Sequence, residues 1–490
     1  MQAVGMPGRH QFRFMEYLLF GMDEFNPLPR SETYTNLAYA FHGWDFSLGE
    51  SFIPQTLLPQ AIKEKHQDWY GHVLCGAPRA DQFNHYEYPI PGAKPIKMIW
   101  TDTPCWSACW NHGHLFEDAL LDEDIEFVLV QHPWMENNTL WADIILPTAT
   151  TLECYDIGND NVNGQYSCLY VQENAVDFQG EATSDFDAVV RVAKAMERLF
   201  PERYEGLVEE YTQGMTQEEH LEYGFEHCGA PEELSWEQLK DQDFWMSPTR
   251  DGWETETAGL LDFARDPEHN KLSTPTGKIE IYSQTLAAKF PDDKIRAPYP
   301  QWIESGDGHD ERIGGERAKS YPFLLMSNHP RWRVHANNDD NTWMREFETC
   351  KIEGPDGYKY EPIWINPVDA VKVNVKDGDI VKMYNERGAV LGAIRISERI
   401  IPGAIYQDHG ARVDSIVIGE FDRAGANNLI CPSNTTSKNA PGEVTNSFLV
   451  NIDKVDVFEL AKQYPEAFSK VYDKDTGQIA ETVIITDEEA

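Results

Sequence analysis

The chain has 490 residues, of which 82 are acidic and 41 basic, for a formal net charge of −41 at pH 7. That excess repels phosphate backbones and anionic lipid surfaces, so nucleic acid and membrane headgroups are excluded as main partners. A hydrophobic content of 41% with 14 Trp excludes wholesale disorder and predicts roughly two to four packed domains.

No run of about eighteen apolar residues is present, so no membrane span is expected. Met1–Gly5 lacks the basic and apolar stretches of a signal peptide, which makes a cytoplasmic location the expectation. The eight cysteines include no CxxC pair and read as reduced thiols.

In chain order, residues 1–95 open on a Gly5-Met6-Pro7-Gly8 turn with no helix before it to end. An aromatic-rich connector from Phe12 to Trp44 follows and includes Tyr17 and Tyr34; such residues serve either as packing or as the wall of a pocket. Residues 96–290 read as an α/β domain. Short β-branched runs at Lys97–Trp100, Phe127–Val130 and Ile144–Leu146 are strands, separated by a helix near Leu115–Leu121 and a helical stretch at Asn137–Ala142. Strand, helix, strand, helix, strand implies a parallel, Rossmann-like sheet with ligands beyond the strand ends. Those ends carry Thr101-Asp102-Thr103, Gln131-His132 and Thr148-Ala149-Thr150, short polar groups suited to a small polar ligand.

Between the first two strands, Cys105, Cys109, His112 and His114 offer thiol and imidazole donors. Structural zinc sites draw ligand pairs from separated segments, whereas these four fall within ten residues. A loop on the ligand side of the sheet is therefore preferred to a zinc site. Tyr166–Val171 is a further strand. Ser184 caps an amphipathic helix over Asp185–Phe200, and Pro201 stops it. Residues 201–260 carry Glu-rich helical fragments, read as solvated faces. Ser273–Ser283 is a turn running into a strand, without the spacing of a phosphate-binding loop. Phe290–Ser320 is a linker. Residues 321–453 then turn to short strands, Phe323–Met326, Val371–Val375, Ile380–Tyr384, Val390–Ile396 and Ala404–Tyr406, at a spacing that predicts a β-barrel. Residues 454–490 add a closing helix at Val455–Val471 and an acidic tail.

The stretch QHPWMENNTLWADIILPTATTLE (131–153) resembles the molybdopterin-dinucleotide oxidoreductases of the dimethyl sulfoxide reductase type, and STPTGKIEIYS (273–283) and INPVDAVKVNVKDGDIVKMYNERGAVLGAIRISERIIPGAIYQDHG (365–410) match the same family in order. The resemblance implies the C-terminal half of a large subunit: a Rossmann-like parallel-sheet domain followed by a C-terminal β-barrel that caps the cofactors, with the N-terminal half absent. It carries over cofactor contacts to Thr103, Gln131, His132 and Thr139 in the first domain. In the barrel it points to Asn328, His329, Arg331, Trp332, Arg333 and His335, and to Gln407, His409, Asn427, Asn428 and Asn434. Guanidinium forks and imidazoles suit phosphates and pterins, and amides suit the mixed edge of a pterin. The implied cofactors are two molybdopterin guanine dinucleotides holding molybdenum or tungsten. The implied partners are the N-terminal half, or a chain supplying it, and a small ferredoxin-like subunit with iron–sulfur clusters.

HPRWRVHANNDDNTWMREFE (329–348) and NNLICPSNTTSKNAPGEVTNSFLVNI (427–452) are similar to family members that move a hydroxyl group between polyhydroxylated benzenes, so a phenolic substrate is implied. The metal ligand and most acid–base groups of the family belong to the absent half. Tyr17 and Tyr34 remain as catalytic candidates. Another reductase of the family, or a non-catalytic cofactor-holding module, is the alternative.

Overall fold

The computed structural model describes residues 53–71, 83–102, 104–159, 168–226, 234–246, 261–272, 274–304, 309–443 and 447–479. Tyr17, Tyr34, Thr103 and the Gly5–Gly8 turn lie outside these residues.

Helix α1 (Leu58–Glu64) leads into an antiparallel hairpin of β1 (Gln67–Gly71) and β2 (Asn84–Tyr88). Strands β3 (Met98–Thr101), β4 (Phe127–His132) and β5 (Ile144–Pro147) then form a three-stranded parallel sheet in that order. Helices α2 (Trp106–Cys109) and α3 (Gly113–Leu120) connect β3 to β4, and a 3-10 turn (Asn137–Trp141) connects β4 to β5. Val128, Leu129 and Val130 of the central strand are all buried, because a strand covered on both faces has no solvent side to alternate with. Phe116 and Leu120 of α3 close one face together with Ile62, Ile99 and Val128.

The middle of the chain adds β6 (Asp156–Asn159), β7 (Cys168–Gln172), α4 (Asp185–Leu199), α5 (Gln217–Glu226), α6 (Trp236–Gln242) and β8 (Phe244–Met246). The Ser184 hydroxyl accepts the Asp187 N–H at 3.1 Å and starts α4 as its sequence requires. The Glu-rich region that follows is not only solvated surface. Leu221 and Phe225 of α5 and Trp236 and Leu239 of α6 bury against Leu169 of β7, so these helices carry an apolar stripe beneath their acidic faces.

The C-terminal region supplies β9 (Phe323–Met326), β10 (Ile352–Glu353), β11 (Lys359–Tyr360), β12 (Pro362–Ile365), β13 (Ile380–Asn385), β14 (Gly388–Ile396), β15 (Ala404–Tyr406), β16 (Ser415–Val417), β17 (Phe421–Asp422), β18 (Thr435–Ser437), β19 (Ala440–Glu443) and β20 (Phe448–Lys454). Six of these follow the order β12-β15-β9-β20-β13-β14, and parallel pairing of β12 with β14 closes the ring into a barrel. Closure leaves none of the six with an unpaired edge. Leu325, Ile363, Met383, Val390 and Phe448 fill it. Cys105 and Ala108 of the loop after β3 belong to the same buried cluster, so the parallel-sheet part and the barrel share one core.

Three local expectations change. Val371–Val375 is no strand: Asn366 Oδ1 accepts the Val368 N–H at 2.9 Å, Pro367 opens helix α7 (Pro367–Lys372), and Asn374 turns away with φ +55°. A capping asparagine followed by proline outweighs the β-branched alternation. The strand after Ser273 does not form among the described residues. Thr274–Gly277 makes the turn, Ile279 and Ile281 stay exposed, and Ser283 caps a short helix at Gln284–Lys289. The closing helix is two pieces, α8 (Val457–Gln463) and α9 (Pro465–Phe468), because Pro465 cannot donate to the helix before it.

Candidate functional site

β9 and β15 lie side by side and parallel, so their C-terminal ends deliver two loops to the same place. The pairing continues past the strands: the Gln407 N–H reaches the Met326 carbonyl at 3.1 Å and the His409 N–H the Asn328 carbonyl at 3.0 Å. Asn328, His329 and His335 come from the first loop and His409 from the second. The His329 ring centre is 4.4 Å from that of His335 and 4.6 Å from that of His409. Gly410 makes the crossing possible. Its φ is +79°, and a Cβ there would lie 1.9 Å from the His335 carbonyl oxygen.

A third loop, the one after β3, seats itself beside these two. Asn428 donates to the Cys109 carbonyl at 2.6 Å, and Asn111 donates to the carbonyls of Pro432 at 2.8 Å and Asn434 at 3.3 Å. Asn137 links the crossover after β4 to both barrel loops, accepting the Val413 N–H at 2.6 Å and donating to the Ala336 carbonyl at 3.2 Å. Glu136 accepts the Asn338 N–H at 2.8 Å. Its burial pushes its carboxyl up to about 7, only partly opposed by the Arg412 guanidinium and that N–H.

The candidate residues divide by what their polar atoms touch. Around the mouth, His409 is buried and its side chain neighbours that of Asn428. Burial, with His329, His335 and Arg333 nearby, holds its imidazole down to about 3, so it stands neutral at physiological pH. Burial and His335 also lower His329. His409 Nε2 and Asn428 Oδ1 are buried side by side without a further protein partner, an edge of the kind a pterin completes. Trp332 Nε1 donates to Asp408 Oδ2 at 2.7 Å, and exposed Arg331 stacks over the Trp332 ring at 4.7 Å.

Other candidates hold the scaffold. Arg333 is enclosed in an ion cluster: Nη1 meets Asp339 and Glu361, both at 2.8 Å, Lys351 bridges the same two carboxylates, and Nε donates to the His409 carbonyl at 2.8 Å. Asn427 accepts from Ser327 and donates to the carbonyls of Gln407 and Asp408. Gln407 is fixed through its backbone, whose carbonyl accepts from Asn427, while its buried amide finds no hydrogen-bond partner and its nitrogen sits where a Cβ on Gly425 would meet it. At the parallel sheet, Gln131 bonds Trp100 at 3.1 Å and Asp185 at 2.6 Å, and His132 Nδ1 lies 2.7 Å from the Asp102 carbonyl. Thr139 bonds the Glu136 carbonyl and borders a cleft of about 900 Å³ that Glu136, Asn137 and Asp339 also line.

The four donors grouped between Cys105 and His114 disperse. Cys105 joins the barrel core, and His114 pairs with Glu117 at 3.0 Å. The Cys431 sulfur accepts the His112 N–H at 3.2 Å. Cys109 turns instead toward His335 and His409. Asp408, Ser327, Glu136 and Asn137 join the expected site residues, and Cys109, a donor candidate in sequence, joins them in a different grouping. Asp408 was legible in the QDHG turn, but the role of the others depends on which loops meet.

Residues 323–445 match the Molydopterin dinucleotide binding domain. Pyrogallol hydroxytransferase large subunit of Pelobacter acidigallici is 26% identical over 433 residues, covering 82% of this chain and 48% of that protein. Dimethyl sulfoxide/trimethylamine N-oxide reductase of Cereibacter sphaeroides is 31% identical over 341 residues, covering 68% of this chain and 38% of that protein. Acetylene hydratase from Pelobacter acetylenicus shares the fold, with a TM-score of 0.53 at 16% identity over 90% of this chain and 51% of that one. The chain thus spans about half the length, or less, of the relatives it matches. With its barrel loops, its parallel sheet and these relatives, the chain belongs to the dimethyl sulfoxide reductase type of molybdopterin-dinucleotide oxidoreductases.

Proposed function

We propose that this chain is the cofactor-gripping, C-terminal part of a molybdenum or tungsten oxidoreductase that transfers or removes hydroxyl groups on polyhydroxylated aromatics. The observation that carries this reading is the match of residues 323–445 to the dinucleotide-binding domain, whose β9 and β15 loops bring Asn328, His329, His335 and His409 together, with Asn428 of a later turn beside His409. In this reading His329, His335, His409 and Asn428 hold pterin edges, and Arg331 and Trp332 hold an anionic or planar group. Gln131, His132, Thr103 and Thr139 serve a nucleotide at the parallel sheet, and Asn434 lies on the loop that Asn111 ties down. Gln407, Asn427 and Arg333 act by fixing the loops. Two molybdopterin guanine dinucleotides are the proposed complement. When bound, they supply the metal centre on which two-electron redox chemistry at a substrate oxygen runs. The buried, neutral His409 imidazole stays available as an acceptor across physiological pH.

The phenolic substrate rests on the pyrogallol hydroxytransferase relative. Tyr17 and Tyr34 remain the proposed proton carriers. The N-terminal half, or a chain supplying it, and a small iron–sulfur subunit are the proposed partners, and the cytoplasm the proposed location. Reduction of an oxidised sulfur or nitrogen centre is the second reading, favoured by the 31% identity to the Cereibacter sphaeroides reductase.

Co-expression with the neighbouring coding regions in a host that makes the molybdenum cofactor tests both. The proposal expects molybdenum or tungsten with two guanine dinucleotides per complex, and hydroxyl exchange among a panel of phenols. Turnover confined to sulfoxides or amine N-oxides selects the second reading. A complete complex holding neither pterin nor metal overturns the enzyme assignment in favour of a non-catalytic module.

A further inference from the structure

We infer that Cys109, His335 and His409 form a site for one divalent transition metal of the zinc class in the pterin-free chain. One donor atom from each lies within 4.8 Å of the others, and among the described residues this is the one group of three or more His, Cys, Asp or Glu so placed. Thiolate and imidazole are the donors such ions prefer over hard oxygen-seeking cations. Tetrahedral zinc holds neighbouring ligand atoms roughly 3.3–3.8 Å apart, given bonds of about 2.0–2.3 Å. The observed spread is therefore at most about 1.0–1.5 Å wider than a bound geometry, and exposed His335 is the ligand whose movement would close it.

The three donors come from three segments, unlike the linear Cys105–His114 group. Two of the three segments are held through their backbone carbonyls and amides. Asn428 holds the Cys109 carbonyl, Asn328 accepts the His409 N–H, and Arg333 Nε donates to the His409 carbonyl. A second observation points into the same spot. His409 is 5% exposed, and its Nε2 is buried with only the Asn428 side chain beside it. Three protein donors leave the fourth position to solvent, the pattern of an open rather than a purely structural site. The inference goes beyond the pterin reading, because Cys109 has no part in that reading. His335 and His409 are shared with it, so pterin and metal are alternative occupants.

Cobalt(II) titration of the full 490-residue chain, purified from a host unable to make the pterin, is the test. The expected result is one Co²⁺ bound, with a thiolate-to-cobalt charge-transfer band and the visible intensity of a four-coordinate ion, displaced by Zn²⁺. Cys109→Ser removes the charge-transfer band, and His335→Gln loses tight binding. His335 is exposed, so circular dichroism is expected unchanged in that variant. Absence of the band in the parent chain, its persistence in Cys109→Ser, or unaltered affinity in His335→Gln overturns the site. None of these outcomes bears on pterin binding, which the complex described above reads separately.

Discussion

Arg333 shows how one side chain can look like a ligand contact and serve as a pillar. Its guanidinium is fully enclosed, and it shares the carboxylates of Asp339 and Glu361 with Lys351, while Arg345 approaches Asp339 at 3.8 Å from the edge of the cluster. Removing one member leaves a buried charge uncompensated, which typically costs about 3–5 kcal/mol. Arg333→Met is therefore expected to lower unfolding stability by that order in urea titration, and to weaken pterin retention through the His409 carbonyl it releases. Glu136 is the residue whose ionisation the fold resists. A carboxyl with a native value of about 7 against an ordinary 4.5 binds more protons in the folded than in the unfolded chain between those two pH values. Stability accordingly declines as pH rises from about 4.5 to about 7 and levels above, by about 3 kcal/mol at the upper bound. Glu136→Gln is expected to flatten that decline in urea midpoints measured across the window. An unchanged slope would mean that the carboxyl is already hydrated.

Among the elements, the parallel pair β9 and β15 does the positioning. Parallel neighbours end on the same side, so the 327–335 loop and the 407–410 turn must meet there. Gly410 is the contact point. Gly410→Ala adds a left-handed-region strain of roughly 1–2 kcal/mol, plus a steric overlap with the His335 carbonyl that the loops must move to relieve. The expected outcome is a lower thermal midpoint together with weaker binding of pterin or metal, whereas a variant equal to the parent in both would show that the loops close differently. Helix α7 illustrates the opposite balance: Asn366 and Pro367 commit the chain locally, and the valines that follow comply.

Across the whole molecule, a polar seam joins the parallel-sheet part to the barrel. Glu117 of α3, buried, accepts from Ser415 Oγ at 3.1 Å and from the Gly419 N–H at 3.0 Å while paired with His114. Each such hydrogen bond contributes about 0.5–1.5 kcal/mol net, and a buried N–H left alone adds a penalty of about 1–3 kcal/mol. Glu117→Ala is expected to cost about 3 kcal/mol or more and to split urea unfolding into two transitions, one followed by the tryptophans of the parallel-sheet part and one by barrel circular dichroism. A single unsplit transition would place the coupling in the shared apolar core that Cys105 and Ala108 enter.

Period and punctuation made much of this legible without coordinates. The parallel strands from 97 to 147, the capped helix after Ser184 and most barrel strands follow from hydrophobic spacing and turn chemistry, which act within a few residues. The family resemblance located the barrel loops as well. What the amino-acid order could not supply was the partner of each polar atom. Arg333 and Gln407 face inward, Cys109 leaves its sequence neighbours for two histidines more than two hundred residues away, and Glu136 is buried by a loop from the barrel. Burial and charge pairing depend on which distant segments the closed sheet brings into contact. Local sequence sets the elements, and closure of the barrel against the parallel sheet decides the site.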